Sequence, residues 1–337
     1  MVFEMALISA VLSCILWIFR QNDDDIINIY NLLTPYVQRI TNCNMLNFGY
    51  WNSDTRDLET AQRNLCSLVG EFAELHPGLR IIDAGSGFSS PANYWESLYH
   101  PVDIMCVNTN SQQLRFAFEH KKTILNREYT LTNYESSMTP DQSVRMRRGV
   151  NNIAFINANS TLLPFAPQSV DRVIALESAH HFRPITQFID ESRRILREET
   201  GTLIIALPVI TNEFSRLHAI FKLGLLYFTW ASQHHDSSTI QSLIMAKGFI
   251  IRDILHVGTH VYEPLANYYI QNRGAFKRKV IVRNKSSSSL LFQSRIINSL
   301  AYDLVEKIIY HSALKMKELS KKGVIDYIIV KAELRKS

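Results

Sequence analysis

The run Ile81-Ile82-Asp83-Ala84-Gly85-Ser86-Gly87 sets a carboxylate near the end of a short apolar stretch and then turns on two glycines. Glycine permits positive φ and lets main chain come close to a ligand, so such a turn can cradle a bound molecule. A carboxylate two residues before the first glycine suits a cationic or hydroxyl-bearing ligand. The dinucleotide fingerprint needs a third glycine where Ser90 stands, and none is there. A plain strand-to-helix turn is the competing reading. Downstream, Val107-Asn108-Thr109-Asn110 places Asn108 where its oxygen could accept from ribose hydroxyls. Asn157-Ala158-Asn159-Ser160 then precedes Leu163-Pro164-Phe165 and Ser169-Val170-Asp171-Arg172-Val173, and the Asn159 carbonyl oxygen can accept from an adenine amino group. Singly, each asparagine is more often a turn former. Three polar loops, each after a consecutive strand, form a set.

His180 and His181 follow the apolar run Val170 to Leu176 and Glu177. Histidine titrates near neutral pH and suits proton abstraction from a hydroxyl, while the competing reading is a structural histidine closing a strand end. His234-His235-Asp236 could be read as a metal cluster. With Ser237, Ser238 and Thr239 behind it, a helix start is the better reading, and no metal site is expected. His256 and His260, near Tyr262, suit a pocket wall or a strand-end loop equally.

The elements that must position these residues alternate. Leu58 to Leu75 carries apolar residues at helical spacing and ends at His76-Pro77-Gly78. Short apolar runs follow at Leu79 to Asp83, Val102 to Val107, Ile153 to Ile156, Val170 to Leu176 and Thr202 to Leu207, with helical patterns between them such as Ile185 to Leu196. Gly248 to Val257 and Val324 to Val330 add a late pair, and Leu290 to Leu319 reads as the last helix. Strands alternating with helices predict an α/β fold: a doubly wound, mostly parallel, seven-stranded sheet covered on both faces. Such sheets place ligands beyond the carboxyl ends of their strands.

With 46% hydrophobic and 20% charged residues over 337 positions, the chain can bury a core and is not disordered. A net charge of +5, dispersed along the chain, gives no nucleic-acid footprint. Cys14, Cys43, Cys66 and Cys106 lack metal or disulfide spacing, which points to a reducing compartment, with the cytoplasmic side favoured. Met5 to Phe19 is an unbroken apolar run closed by Arg20 and Asp23, Asp24 and Asp25. It is short for a span, and Glu4 is the wrong charge for a secretory leader, so residues 1–22 read as a membrane anchor or interfacial helix, with association through residues 2–19. A buried N-terminal helix is the alternative, and a cleaved signal the remaining one.

The order IIDAGSG, VNTNSQQL, ANSTLLPFAPQSVDRVIALES, then HHF, RRIL and GTLIIA, resembles the class I S-adenosylmethionine-dependent methyltransferases. It is most similar to the small-molecule branch that holds sugar O-methyltransferases and sterol and tocopherol C-methyltransferases. The resemblance implies a Rossmann-like methyltransferase domain over residues 31–337, with a cofactor half at about 47–207 and helical cap insertions and last strands at about 208–334. It implies that Asp83, Gly85, Ser86 and Gly87 hold the methionine end of S-adenosyl-L-methionine, Asn108 the ribose, and Asn159 with Ser160 the adenine. Gly49-Tyr50-Trp51 matches as well, which implies substrate contacts for Tyr50 and Trp51, and His181 with His180 falls where relatives keep a base. The substrate implied is a small molecule.

Three departures stand out. The family more often has Asp where Asn159 stands, Asp, Glu or Asn at Asn108, and Gly at Ser89. Charge-assisted hydrogen bonds are about twice as strong as neutral ones, so weaker cofactor affinity is expected. Relatives also carry an Asp beyond the next strand to assist the histidine, where this chain has Ala206-Leu207-Pro208-Val209. Glu177 is badly placed to replace it, being adjacent in extended chain. Residues 111–152 are longer than one helix and a turn require and carry Lys121, Lys122, Arg127, Arg145, Arg147 and Arg148, read as an anion or headgroup contact or a solvated face. Phe214 to Trp230 is apolar and lies where relatives insert a substrate cap. Methyl transfer to a small lipophilic metabolite, with oxygen favoured as acceptor, is the first reading. A binding or scaffolding protein that keeps the fold without turnover is the second.

Overall fold

The computed structural model describes residues 44–125, 152–211, 235–284, 306–307 and 310–335, with Ile27 alone before them. The expected N-terminal anchor (residues 1–22), the basic insertion from 126 to 151, the apolar stretch 214–230, His234 and the first part of the last helix lie outside the described residues. Among the described residues, no helix is long and apolar enough to cross a membrane.

Helix α1 (Leu58–Phe72) starts at Asp57, whose side chain accepts from Thr60 N, and buries Ala61, Leu65, Cys66 and Val69 on one face. Strand β1 (Arg80–Ala84) then leads into α2 (Ser90–Tyr99), β2 (Asp103–Asn108) and α3 (Ser111–Leu125). Strands β3 (Ile153–Asn157) and β4 (Arg172–Leu176), helix α4 (Ile185–Ile195) and strand β5 (Thr202–Ile210) follow. Helix α5 (Ser237–Ala246), strand β6 (Phe249–His256), helix α6 (Tyr262–Asn284), a helix α7 over 310–321 and strand β7 (Ile325–Leu334) close the described chain. The sheet order is β3-β2-β1-β4-β5-β7-β6, parallel except where β7 runs antiparallel between β5 and β6.

Alternation along the strands feeds two cores. Ile81 joins Leu65, Val69 and Trp95 on one face, and Ile82 joins Phe188, Ile189 and Ile244 on the other. Burial on both faces explains why these strands read as short continuous apolar runs. Helix α4 buries Ile185, Phe188, Ile189, Ser192 and Ile195, spaced by three and four.

One strand runs past its expected end. Strand β5 continues through Pro208 to Ile210, opposite Ile325 to Tyr327 of β7, so the boundary drawn at 207/208 falls inside a strand. Proline normally ends a strand reading because it donates nothing to a ladder. Here β4 has stopped at Leu176, and β5 has a single sheet neighbour beyond that level. The Ser169-Val170-Asp171-Arg172-Val173 stretch lies at the amino edge, away from the ligand edge. The Asp171 carboxylate accepts from Arg80 N at 2.8 Å and contacts the Arg197 guanidinium, and Arg172 Nε donates to Ala73 O at 2.6 Å. That stretch staples the base of the sheet.

Candidate active site

At the carboxyl edge, Gly85 N and Ser86 N both donate to Val107 O, at 2.8 and 3.0 Å, which folds the β1 turn onto the end of β2. Gly85 and Gly87 hold φ of 73° and 54°, the left-handed region where a side chain is strained. Their surroundings differ. A Cβ on Gly85 would lie 2.5 Å from Ser178 Cβ and 3.2 Å from Phe182 Cζ, whereas one on Gly87 would meet just Leu46 Cδ1 at 3.4 Å. Gly85 is therefore demanded by the protein's own packing, and Gly87 by its backbone alone. Ser89 is also left-handed, with φ 55°, and fully buried, its Oγ donating to Ser86 Oγ at 3.1 Å.

Asp83 is 2% exposed, with the buried Cys66 and Cys106 thiols near it. Its Oδ2 has no hydrogen-bond partner among the described residues. Burial pushes its carboxyl up to about 7. A buried carboxyl oxygen without a donor is costly, and a cation delivered beside it removes that cost.

Asn108 sits where expected but is engaged with its neighbours. Its Nδ2 donates to Gly87 O at 3.2 Å and to Gln113 Oε1 at 2.9 Å, and its Oδ1 accepts from Asn110 N at 3.1 Å. Asn110 caps α3, its Oδ1 accepting from Gln112 N and Gln113 N at 3.1 and 3.2 Å. Gln113, not singled out from the sequence, is thus a buried amide against Asn108 at the end of β2; its signal was the first turn of α3 folding back on the β2 end. Asn159 Oδ1 accepts from Thr161 N at 3.0 Å, the turn-forming role that rivalled adenine contact, while its second lone pair stays available. Ser160 beside it is buried.

At the end of β4, Glu177 turns left-handed (φ 52°) and its N donates to Ala206 O at 2.8 Å. Its carboxyl accepts from Phe48 N, at 3.0 Å to Oε1 and 3.2 Å to Oε2, and the Tyr327 hydroxyl lies against it. Burial pushes this carboxyl up to about 8, against the hydrogen bonds that favour its charged form. The short turn Ala179–His181 follows, with the two imidazoles 4.0 Å apart; His180 is buried and His181 half-buried. Glu177 thus faces the 44–51 segment, and β5 contributes no carboxylate, as its sequence requires.

Tyr50 and Trp51 stand on the far flank. Tyr50 stacks on His260 at 4.9 Å, and Trp51 is buried against Tyr268 at 5.1 Å, its Nε1 donating to Phe48 O at 3.3 Å. The Trp51 indole is committed to packing, which leaves Tyr50 as the more available ring. His256 Nδ1 pairs with Asp326 Oδ2 at 2.6 Å at the β6 end. The His235-Asp236 pair is a helix start: Asp236 caps α5, accepting from Thr239 N at 2.9 Å. Among the described residues, no cluster of three or more His, Cys, Asp or Glu could hold a metal ion.

Residues 82–205, which span the strands bearing this edge, match the family described as methyltransferase domain. The chain is similar to erythromycin 3''-O-methyltransferase of Saccharopolyspora erythraea, 24% identical over 287 residues, covering 81% of this chain and 82% of that one. In fold it is similar to the 4+2 cyclase SpnF, with TM-score 0.63 and 16% identity over 94% of this chain and 98% of that one. It is likewise similar to the cyclopropane synthase MmaA2 from Mycobacterium tuberculosis, with TM-score 0.64 and 14% identity over 90% and 95%. Residues 82–205 thus form a methyltransferase domain on this seven-stranded sheet, and the chain is an S-adenosylmethionine-dependent methyltransferase.

Proposed function

We propose that the enzyme methylates a hydroxyl of a small lipophilic acceptor, with Asp83, Gly85, Ser86 and Gly87 on the methionine end of the cofactor, Asn108 toward the ribose, and Asn159 with Ser160 toward the adenine. The observation that carries the cofactor placement is the Asp83 oxygen, buried and without a donor next to the glycine turn. The cofactor's ammonium and sulfonium charges supply the missing counter-charge. When bound, it brings an activated methyl group on sulfur, and the protein's task is to align the acceptor and take its proton.

His181 is the proposed base, being the less enclosed of the two imidazoles; His180 backs it. Tyr50 is proposed to touch the acceptor and Trp51 to anchor it through Tyr268 and Phe48. Oxygen as acceptor is supported by the similarity to the erythromycin 3''-O-methyltransferase. The apolar run of residues 5–19 is proposed to keep the enzyme at a membrane where lipophilic acceptors partition. Vesicle flotation tests this: the intact chain should float, and Leu12→Glu with Ile15→Glu should not.

The test of the activity is incubation with labelled S-adenosylmethionine and a lipid-soluble metabolite extract, followed by mass spectrometry. A labelled, methylated product with an ether linkage is expected; label on nitrogen or carbon would move the acceptor assignment. The engaged amides of Asn108 and Asn159 favour a second reading, a protein that binds the cofactor without turnover. Saturable S-adenosylhomocysteine binding with no product from any extract would support it.

A further inference from the structure

We propose that Glu177 is a positioning residue for the methyl transfer, latching segment 44–51 across the mouth of the glycine turn. The inference rests on the reading of that turn as the cofactor cradle.

Segment 44–51 has no helix or strand and lies as a strap along the carboxyl edge. It is tied to the helical shell at Asn44, whose O accepts from Ser90 Oγ at 2.9 Å, and at Asn47, whose O accepts from Gln62 Nε2 at 2.7 Å. Beyond them, Tyr50 N donates to Ala61 O and Trp51 N to His260 O, both at 2.8 Å. Between these ties Leu46 lies over Gly87, close enough that a Cβ there would meet its Cδ1 at 3.4 Å. Phe48 N reaches both carboxyl oxygens of Glu177, a contact between residues 129 apart in sequence.

The neighbouring residue makes the arrangement informative. Ser178 Oγ donates to Ala84 O at 2.5 Å, in the cradle itself. The left-handed backbone at Glu177 sends one side chain to the strap and leaves the next for the turn. Strap and cradle are thus fastened to one dipeptide at the end of β4, with His180 and His181 directly behind. Removing the carboxyl leaves the Phe48 N–H without its acceptor, and the strap loses its hold on the end of β4 while its ties to the helical shell stay in place.

The test uses the full chain. S-adenosylhomocysteine binding is measured by calorimetry, its release by stopped flow, and amide exchange over 44–51 by mass spectrometry. Glu177→Ala should release the ligand about tenfold faster, the effect of losing one hydrogen bond to a carboxyl group. Exchange protection should fall at Phe48 but hold in β5 and β7. Glu177→Asp keeps a carboxyl but withdraws it by a methylene, and should behave like Ala. Glu177→Gln keeps an acceptor oxygen and should stay within about threefold of the parent, since a neutral acceptor still serves the N–H. If Glu177→Ala does not fold, the Asp and Gln pair decides in its place. Unchanged release in Ala and Asp, or a Gln variant as fast as Asp, overturns the latch alone. No binding by the parent protein overturns the cofactor reading and the latch with it.

Discussion

On the proposed cofactor placement, Asp83 ties ligand binding to proton release. Its carboxyl is held near 7 by burial, against 3.8 in open chain, so the folded protein keeps a proton that the unfolded chain has released between those values. Stability contributed by this group therefore falls as pH rises from about 4 to about 7, and a cationic cofactor favours the ionised form. The expected outcome is that S-adenosylmethionine binds more tightly as pH rises toward 7 and releases a proton on binding below it; calorimetry in buffers of different ionisation enthalpy checks this. The glycines separate in the same way. Gly85→Ala meets both left-handed strain and Ser178 and should destabilise by about 2–4 kcal/mol. Gly87→Ala carries the strain alone, at about 1 kcal/mol, so urea unfolding of the two variants should differ clearly. With an acceptor in hand, His181→Ala should lower turnover about a hundredfold while cofactor affinity holds. Equal loss of both would assign the ring to structure.

Helix ends and strand ends set the element scale. Asp236 caps α5 by accepting from Thr239 N, and its contacts with Ser238 and Thr239 hold its carboxyl down at about 2 despite partial burial. A depressed folded value contributes stability above the open-chain value, lost as pH falls from about 4 to about 2. Asp236→Ala should cost about 1 kcal/mol at neutral pH and much less near pH 2, as thermal unfolding at the two pH values would show. The loss should register in α5 and at the β5 end, where Ile210 N donates to His235 O at 3.1 Å.

For the molecule as a whole, the site is built across strands rather than within one. The β1 turn, the β2 end and the β4 end are cross-bonded through Val107 O, Ala84 O and Gly87 O. A ligand filling that edge should stabilise the sheet as a unit, because binding to the native state alone raises apparent stability. At a hundredfold excess over Kd the gain is about 2.7 kcal/mol, a rise of a few degrees in Tm, and a scan with S-adenosylhomocysteine reads it directly.

Local order was legible wherever short-range physics decides it. Apolar runs buried on both faces, the helical spacing of Leu65, Val69 and Phe72, and the glycine turn after Asp83 follow from sequence because backbone and burial preferences act over a few residues. The strand count follows from the same pattern. What Asn108, Asn159, Trp51 and Glu177 touch is another matter. Each is a polar or aromatic group able to serve a ligand or the protein, and the choice is made by partners 2 to 217 residues away: Thr161 for Asn159, Gln113 for Asn108, Phe48 for Glu177 and Tyr268 for Trp51. Even Gly85, read from the sequence as room for a ligand, proves to be room for Ser178. A hydrogen bond or van der Waals contact is fixed by ångström-scale placement, and that placement exists only once the strands stand side by side.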